Sequence, residues 1–188
     1  MEYKICSRCI MDTSDTQITF DSDGVCNHCL RYCELKESRT IPQETATEEM
    51  RALINKIRLK GKNDDYDCVI GVSGGVDSTY VAYIAKKLGL RPLAVHLDNG
   101  WNSDLATANI HKVLNKLDID LVTHVIDWQE FKNLQKSFLN ASVPDGEIPT
   151  DHAIDAILWK TADKYNIKYI LSGMNFATES MSVPTWAY

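Results

Sequence analysis

The stretch that decides the fold is YDCVIGVSGGVDS, which runs from Tyr66 to Ser78. Its first half is short, apolar and rich in β-branched residues, which is typical of a strand buried within a parallel sheet. Two adjacent glycines, Gly74 and Gly75, then form a turn before a helix begins. Glycine lets backbone N–H groups approach an anion closely, and the first turn of a helix offers unpaired N–H donors and a partial positive charge. The stretch therefore predicts a phosphate-binding loop between a strand and a helix.

The polar side chains of this loop fit a nucleotide accompanied by a cation. The hydroxyl groups of Ser73 and Ser78 can donate to phosphate oxygens. Phosphate would repel Asp77 unless a cation lay between them, which indicates Mg²⁺, an ion that prefers oxygen ligands. The loop is not of the Walker A type, because it lacks Gly-Lys-Ser/Thr, and the G-x-G-x-x-G pattern of dinucleotide-binding proteins is also missing.

Two other interpretations of the loop remain open. Residues 71–75 also satisfy G-x-S-x-G, the nucleophile elbow of α/β-hydrolases, with Ser73 as nucleophile and His152 as a downstream base. Against this, the elbow of a hydrolase follows several strands, whereas this one ends the first, and Asp77 and Ser78 would have no role. The second interpretation is an ordinary glycine-rich turn.

Outward from this loop, short apolar segments alternate with segments of helical period. Strands are predicted at 66–72, 92–97, 121–126 and 168–171. Helices are predicted at 45–61, 76–88, 104–117 and 127–139, and after a loop at 140–149. Such units predict an α/β fold with a parallel sheet and helices on both faces. Ligands of these sheets bind beyond the carboxyl ends of the strands. The segments at that edge are Ser73–Ser78, Asp98–Trp101, Asp127–Trp128 and Ser172–Glu179.

The chain is predicted to have three parts: a cysteine module at 1–35, a linker and helix at 36–62, and the sheet domain at 63–188. The capping-box pattern Thr45-x-x-Glu48 predicts the start of the linking helix. The end of the chain, after Ser180, shows no strand or helix pattern, so we expect the sheet domain to continue beyond it.

The cysteine module predicts a structural metal site. Five of the six cysteines lie in the first 33 residues, and such clustering favours metal binding over disulfides. Two C-x-x-C pairs, sixteen residues apart, have the spacing of a zinc site. The expected ligands are Cys6, Cys9, Cys26 and Cys29. An iron–sulfur cluster and simple packing of reduced thiols remain alternatives.

The net charge and the distribution of apolar residues limit the kinds of partner that the chain is expected to bind. The net charge is −6, whereas a protein that binds nucleic acid usually presents a basic face, so no nucleic-acid substrate is expected. No apolar run approaches the roughly 20 residues that span a bilayer, and the N-terminus lacks the pattern of a signal peptide. We therefore expect a cytoplasmic protein without a membrane partner.

The loop sequence SGGVDS resembles the SGGxDS signature of the PP-loop ATP pyrophosphatases, which have the adenine nucleotide alpha hydrolase-like fold. These enzymes cleave ATP between the α and β phosphates and adenylate a substrate oxygen. The resemblance implies that ATP is bound through Ser73, Gly74, Gly75, Asp77 and Ser78, with Asp77 and Ser78 as the catalytic residues. It also implies that the nucleotide lies near His96, Leu97, Asp98 and Gly173.

A four-cysteine knuckle before a PP-loop domain resembles two groups: tRNA-thiolating enzymes, and the N-acetyl sugar amidotransferases of lipopolysaccharide O-antigen and flagellin-sugar biosynthesis. Thiolating enzymes generally need more cysteines in the catalytic domain, and only Cys68 follows Cys33 here. The stretches that resemble the amidotransferases are Cys6–Thr13, Ile18–Asp21, Gly24–Cys26, Leu97–Trp101, Ile148–Ile154 and Gly173–Glu179.

The amidotransferase resemblance implies that an acetamido group on a sugar becomes an acetamidino group, with ATP, Mg²⁺ and ammonia from a partner glutaminase. Candidate substrate contacts are Asn99, Trp101, Asp151, Asn175 and Glu179. Residues 99–101 could equally be an ordinary turn, and Thr150 or Asp151 only a helix N-cap. The alternative functions are a thiolating enzyme and a non-catalytic nucleotide-binding or zinc docking module.

Overall fold

A computed structural model of the chain describes residues 2–143, 145–174 and 176–179. These residues form two compact units. One comprises the described residues within Met1–Ala46 and Asn175–Tyr188, and the other those within Thr47–Met174. The helices are α1 (Asn27–Arg39), α2 (Gln43–Lys60), α3 (Val76–Lys87), α4 (Asp104–Leu117), α5 (Trp128–Asn140), α6 (Ile148–Lys164) and α7 (Phe176–Glu179).

The second unit is built on a parallel sheet. Its strands are β1 (Cys68–Gly71), β2 (Pro92–Asp98), β3 (Asp120–Val125) and β4 (Ile170–Leu171), in the order β3-β2-β1-β4. Every pairing is parallel, and Val69 of β1 lies between Leu93 and Ile170. The carboxyl ends of all these strands therefore meet at one edge, as the strand–helix alternation predicts.

Helices cover both faces of the sheet, which confirms the predicted fold class. Alternate side chains of a strand point to opposite faces. Val69 and Leu93 pack with Ile157 of α6, whereas Ile70 and Ala94 pack with residues of α3 and α4 on the other face. Each fully buried aliphatic side chain of this kind stabilises the fold by about 1.5–3 kcal/mol.

An ion pair joins the amino ends of β1 and β2. Asp67 is buried, and its carboxylate accepts hydrogen bonds from the backbone N–H of Arg91 at 2.8 Å and from the guanidinium Nη2 at 2.7 Å. The same guanidinium donates to the carbonyl groups of Gly61 and Asp64, both at 2.7 Å. Arg91 thus fixes the segment between α2 and β1 against the start of β2.

The N-terminal unit holds its loops with short-range hydrogen bonds. Asp21 accepts hydrogen bonds from the backbone N–H groups of Asp23 at 2.9 Å and Val25 at 2.8 Å, which form the turn before the second cysteine pair. Within the same unit, Tyr32 of α1 stacks on Phe176 of α7 with ring centroids 6.3 Å apart. Among the described residues, no helix is both long and apolar enough to cross a bilayer.

Two local predictions were wrong. The helix α1 extends through Arg39 into the predicted linker at 36–44. None of its side chains is buried, so its sequence lacks the regular spacing of apolar residues that predicts a helix. The helix α2 begins at Gln43, because the carbonyl of Pro42 accepts the N–H groups of Thr45 and Ala46. Thr45 therefore lies inside the first turn and is not the N-cap.

We expect Asp67→Asn to lower the free energy of unfolding by about 2 kcal/mol, because it removes the charge from hydrogen bonds made by a buried carboxylate. Urea denaturation measures the change. The matched control is Asp65→Asn, at an exposed carboxylate two residues away, for which we expect a change within about 0.5 kcal/mol. Equal losses in the two variants would show that the buried ion pair has no special role.

Candidate functional site

The loop between β1 and α3 presents backbone N–H groups that have no partner among the described residues. The first hydrogen bond of α3 joins the N–H of Thr79 to the carbonyl of Gly75. Among the described residues, no acceptor pairs with the N–H groups of Gly74, Val76, Asp77 or Ser78. These amides lie at the positive end of the helix dipole, so the loop has the donors that an anion requires.

Two serine side chains hold the loop together. The hydroxyl groups of Ser73 and Ser78 lie 3.3 Å apart, within hydrogen-bonding distance. Ser78 Oγ also accepts from the N–H of Ser73 and lies within 3.3 Å of the carbonyl of Gly75. The turn is thus fixed by hydroxyl groups, while the amides of α3 stay available.

Gly74 packs directly against α4. Its φ is +78°, in the left-handed region that favours glycine. A Cβ at this position would lie 2.9 Å from the Cα of Ala106, closer than carbon atoms approach without a shift. Residue 74 therefore requires glycine both for its backbone conformation and for the approach of α4.

We expect Gly74→Ala to weaken the binding of ATP with Mg²⁺ by about tenfold or more, or about 1.4 kcal/mol, because the loop must distort to admit the methyl group. Isothermal titration calorimetry measures the affinity. Gly146→Ala is the control, since a Cβ there meets no atom within 4 Å and the backbone is not left-handed. Unchanged affinity in Gly74→Ala would contradict a role for this loop in nucleotide binding.

The other predicted nucleotide contacts lie around the same edge of the sheet. His96 is buried, and its Nδ1 lies 2.9 Å from the carbonyl of Val72, so this nitrogen carries the proton that it donates. The side chain of Leu97 belongs to the hydrophobic core on the face of the sheet that α6 covers, together with Ile157. A Cβ at Gly173 would lie 3.2 Å from the carbonyl carbon of Asp77, so the segment after β4 passes close beside the start of α3. The roles of these residues in binding ATP stay predictions.

The loop after β2 is ordered by two short side chains. Asp98 Oδ1 accepts hydrogen bonds from the N–H of Gly100 at 3.1 Å and from Nδ2 of Asn102 at 3.2 Å. Asn99 Oδ1 accepts from the N–H of Trp101 at 3.1 Å. The indole Nε1 of Trp101 donates to Gln135 at 2.8 Å, a partner 34 residues away that no local pattern in the sequence indicates.

The remaining substrate candidates are distributed more widely. The N-cap of α6 is Glu147, so Thr150 and Asp151 lie within the first turn, and the N-cap interpretation of these two residues was wrong. Partial burial, and then the neighbouring carboxylates, raise the pKa of Asp151. Glu179 lies in α7 of the N-terminal unit, and Asn175 lies outside the described residues.

The hydrolase interpretation of Ser73 was also wrong. His152 lies in α6, where its Nδ1 is 2.9 Å from the carbonyl of Ile148. Within the described part of the chain, no hydrogen bond joins His152 to Ser73, whose hydroxyl pairs with Ser78 instead. Without this hydrogen bond, His152 does not activate Ser73 in the structure as the nucleophile of such an enzyme requires.

The family model described as "Queuosine biosynthesis protein QueC" matches residues 67–180, well over half of the chain. The matched range includes the loop at 73–78 and every strand of the sheet. The chain belongs to the QueC family. Its sheet unit is accordingly a QueC-like domain of the PP-loop ATP pyrophosphatase superfamily, as the SGGVDS loop implies.

A curated relative is similar to part of this QueC-family chain. The chain is 30% identical over 123 residues to the tRNA-specific 2-thiouridylase MnmA 2 of Fusobacterium nucleatum subsp. nucleatum, an alignment that covers 61% of the chain and 35% of the relative. The match thus spans about a third of the length of this curated relative.

One solved enzyme structure shows the same fold. The glutamine-dependent NAD+ synthetase from Acinetobacter baumannii, in complex with ADP, superposes with a TM-score of 0.55 at 18% identity, over 87% of this chain and 31% of that one. The NMN synthetase from Francisella tularensis matches with a TM-score of 0.47 at 21% identity, over 69% of this chain and 54% of that one.

The cysteine pairs form a compact cluster outside the range matched by the QueC family. The sulfur atoms of Cys6, Cys9, Cys26 and Cys29 all lie within 4.8 Å of one another. The Cys6–Cys29 separation is 4.0 Å and the Cys9–Cys26 separation is 3.7 Å. Tetrahedral ligands with Zn–S bonds of about 2.3 Å require sulfur separations of about 3.8 Å, so the four thiols fit a single zinc ion.

Backbone hydrogen bonds around the Cys6 sulfur favour its thiolate form. Burial opposes ionisation of Cys6, but backbone N–H groups, including those of Arg8 and Cys26, donate to its sulfur and lower its pKa to about 6. Burial and the neighbouring thiols raise the pKa of Cys29. A divalent cation would bind all the thiols as thiolates, which explains why they converge.

We expect Cys26→Ser to remove the metal and to lower the melting temperature, because zinc supplies much of the stability of such small knuckles. Cys33→Ser is the control, since Cys33 contacts Arg8 at 2.7 Å and lies outside the four-thiol cluster. Elemental analysis should find about one zinc ion per chain in the wild type and in the control. Retention of zinc by Cys26→Ser would contradict this assignment of the ligands.

Proposed function

We propose that this chain is an ATP-dependent amidotransferase that adenylates the N-acetyl oxygen of a sugar, so that ammonia converts the acetamido group to an acetamidino group. The observation that carries the proposal is the loop from Ser73 to Ser78, where amides without a partner in the described part of the chain lie beside the exposed carboxylate of Asp77. The stretches that resemble the N-acetyl sugar amidotransferases supply the choice of substrate.

The reaction balances without a redox partner. The amide oxygen attacks the α-phosphate of ATP, and pyrophosphate leaves. Ammonia then adds to the activated carbon, and the original oxygen departs on AMP. An amide oxygen is a poor leaving group until it is adenylated, so the first step makes the second possible.

The loop is suited to the departing pyrophosphate. The amides of Gly74, Val76 and Ser78 would donate to its oxygens, which concentrates positive partial charge where negative charge develops. Asp77 and the phosphates would repel each other unless Mg²⁺ neutralised both, so in this proposal Asp77 would help to hold the ion. The chain therefore binds and orients the phosphates largely through its backbone.

The chemistry of Cys68 favours amide activation over sulfur transfer. Its side chain is completely buried, and burial, followed by the carboxylate of Asp67, raises the pKa of the thiol to about 12. A thiol of this kind cannot serve as a sulfur carrier at neutral pH. The other five cysteines lie within the first 33 residues, and four of them form the metal cluster.

The reactivity and accessibility of the cysteines also bear on the source of ammonia. A glutaminase of the cysteine type needs a reactive, accessible thiolate. Cys68 does not meet that requirement. Because the resemblance to the N-acetyl sugar amidotransferases implies a partner glutaminase, we propose that a separate glutaminase delivers the ammonia. Since the relative named as a tRNA thiouridylase acts on tRNA, a thiolating activity is the second candidate, and a non-catalytic nucleotide-binding module is the third.

Formation of AMP and pyrophosphate tests the proposal. With ATP, Mg²⁺, an ammonium salt and an N-acetylated or diacetamido sugar, we expect pyrophosphate release that depends on the sugar, together with an acetamidino product visible by mass spectrometry. A parallel reaction supplies tRNA and a sulfide donor in place of the sugar and ammonium. Turnover only in that reaction would favour thiolation, and ATP binding without turnover in either would favour the non-catalytic module.

In the same assay, we expect Asp77→Asn to lower the rate about 100-fold, a typical loss when a charge-stabilising group is removed. The variant should also need more Mg²⁺ to reach half of its maximal rate. Asp163→Asn, at an exposed position in the last turn of α6, is the matched control and should leave both quantities unchanged. An Asp77→Asn enzyme with wild-type Mg²⁺ dependence would contradict the assigned role.

A further inference from the structure

Trp101 is a large aromatic side chain that is exposed and yet held in place. The residue is 66% exposed. Its indole Nε1 donates to Gln135 at 2.8 Å, and its ring meets the ring of Trp128 edge-on, with centroids 5.4 Å apart and an interplanar angle of 76°. An exposed indole gains little stability from its own burial, so contacts that fix its orientation indicate a surface prepared for a ligand.

The position of Trp101 adjoins the phosphate loop. It lies in the segment between β2 and α4, beyond the carboxyl end of its strand, where ligands of parallel sheets bind. Trp128 begins α5 at the same edge. The start of α4 touches Gly74 through Ala106, so the segment that carries Trp101 leads directly to the loop that would bind the phosphates.

Polar groups next to Trp101 complete the surface. Asp98 uses Oδ1 to order the loop, and its second carboxylate oxygen has no partner among residues 2–143, 145–174 and 176–179. Asn99 uses Oδ1 in the same way, and its amide nitrogen likewise has no partner in that part of the chain. One free acceptor and one free donor beside an aromatic face match the hydroxyl groups and the apolar C–H face of a sugar ring.

The local charge favours a neutral ligand. In the sequence, carboxylates flank both tryptophans, at Asp98 and Asp104 around Trp101 and at Asp127 and Glu130 around Trp128. These acidic residues outnumber the lysines of α5, Lys132 and Lys136. The carboxylates would repel a phosphate group but would accept hydrogen bonds from hydroxyl groups. The phosphates of ATP have several backbone donors in the neighbouring loop, at the start of α3.

We propose that Trp101, supported by Trp128 and Gln135, is the stacking surface for the pyranose ring of the N-acetylated sugar, with Asp98 and Asn99 as its hydrogen-bonding partners. The inference rests on the proposed function for the choice of sugar. It does not depend on turnover, because a stacking surface fixed in the absence of nucleotide binds the ring without ATP.

Binding of N-acetylglucosamine, used as the probe, tests the inference. Two-dimensional ¹⁵N–¹H spectra of the full chain show the indole N–H signals of its tryptophans, which Trp→Phe substitutions assign. We expect millimolar N-acetylglucosamine to shift the Trp101 signal saturably, and adenosine at equal concentration to shift it less. Trp159 is the internal control, since it is 70% exposed on α6 and should not move.

Two variants separate stacking from folding. Trp101→Ala should weaken sugar binding about tenfold, as the loss of an aromatic contact of about 1.4 kcal/mol predicts. Gln135→Ala keeps the Trp101 ring but removes the hydrogen bond that orients it. This variant should weaken sugar binding less than Trp101→Ala does. Both should retain the melting temperature of the wild type within a few degrees, because the ring is mostly exposed.

Three results would overturn the inference: no saturable shift of Trp101, a shift with adenosine equal to or larger than that with the sugar, or unchanged sugar affinity in Trp101→Ala. Failure of the proposed function gives a different pattern, because pyrophosphate release is then missing while the Trp101 signal still responds to sugar. Conversely, sugar-dependent turnover with an unmoved Trp101 signal would retain the function and reject this surface.

Discussion

Unpaired amides in the first turn of α3 are the constraint on which the rest of the site depends. A loop that satisfied its own N–H groups would have no donors left for an anion. Here the turn is held by other means: the two serine hydroxyls, the packing of Gly74 on Ala106, and the hydrogen bond from buried His96 to the carbonyl of Val72. Because the loop residues face solvent, water can satisfy the amides until a phosphate replaces it.

The parallel sheet separates the groups that stabilise the fold from the groups available for chemistry. The ion pair of Asp67 and Arg91 lies at the amino ends of β1 and β2, where it ties the segment after α2 to the sheet. The phosphate loop, the Asp98 turn and Gly173 lie at the carboxyl ends. Substitutions that tune ligand contacts at one edge therefore leave the main polar support of the sheet at the other edge intact.

Features that depend on residues close together in the chain can be predicted from the sequence. The order of strands and helices, the phosphate loop and the four-cysteine cluster all follow from short patterns, and the structure confirms the parallel sheet and the convergence of the thiols. Contacts between distant segments leave no such pattern. The hydrogen bond of Trp101 to Gln135 spans 34 residues, and only the folded chain reveals it.

Local patterns also fail where a stronger local interaction competes. The sequence Thr45-x-x-Glu48 matches the capping-box pattern, but Thr45 is not the N-cap. The carbonyl of Pro42 accepts hydrogen bonds from the N–H groups of Thr45 and Ala46, so α2 starts earlier. The same holds at α6, which begins before Thr150 and Asp151 with Pro149 in its first turn. A proline near a helix start fixes the backbone in advance, so it outweighs a side-chain cap that would form only after the helix exists.

The electrostatics of the loop explain why a cation is required for the chemistry we propose. Residues 71–78 contain no lysine or arginine, and their one ionisable side chain is Asp77. Backbone amides and the helix dipole supply about half a unit of positive charge. This is far less than the negative charge of a nucleoside triphosphate. In a chain of net charge −6, we propose that a metal ion shared by Asp77 and the phosphates supplies the difference. On this proposal, the carboxylate that would weaken phosphate binding alone would make binding dependent on Mg²⁺, and the nucleotide would bind in its reactive, metal-bound form.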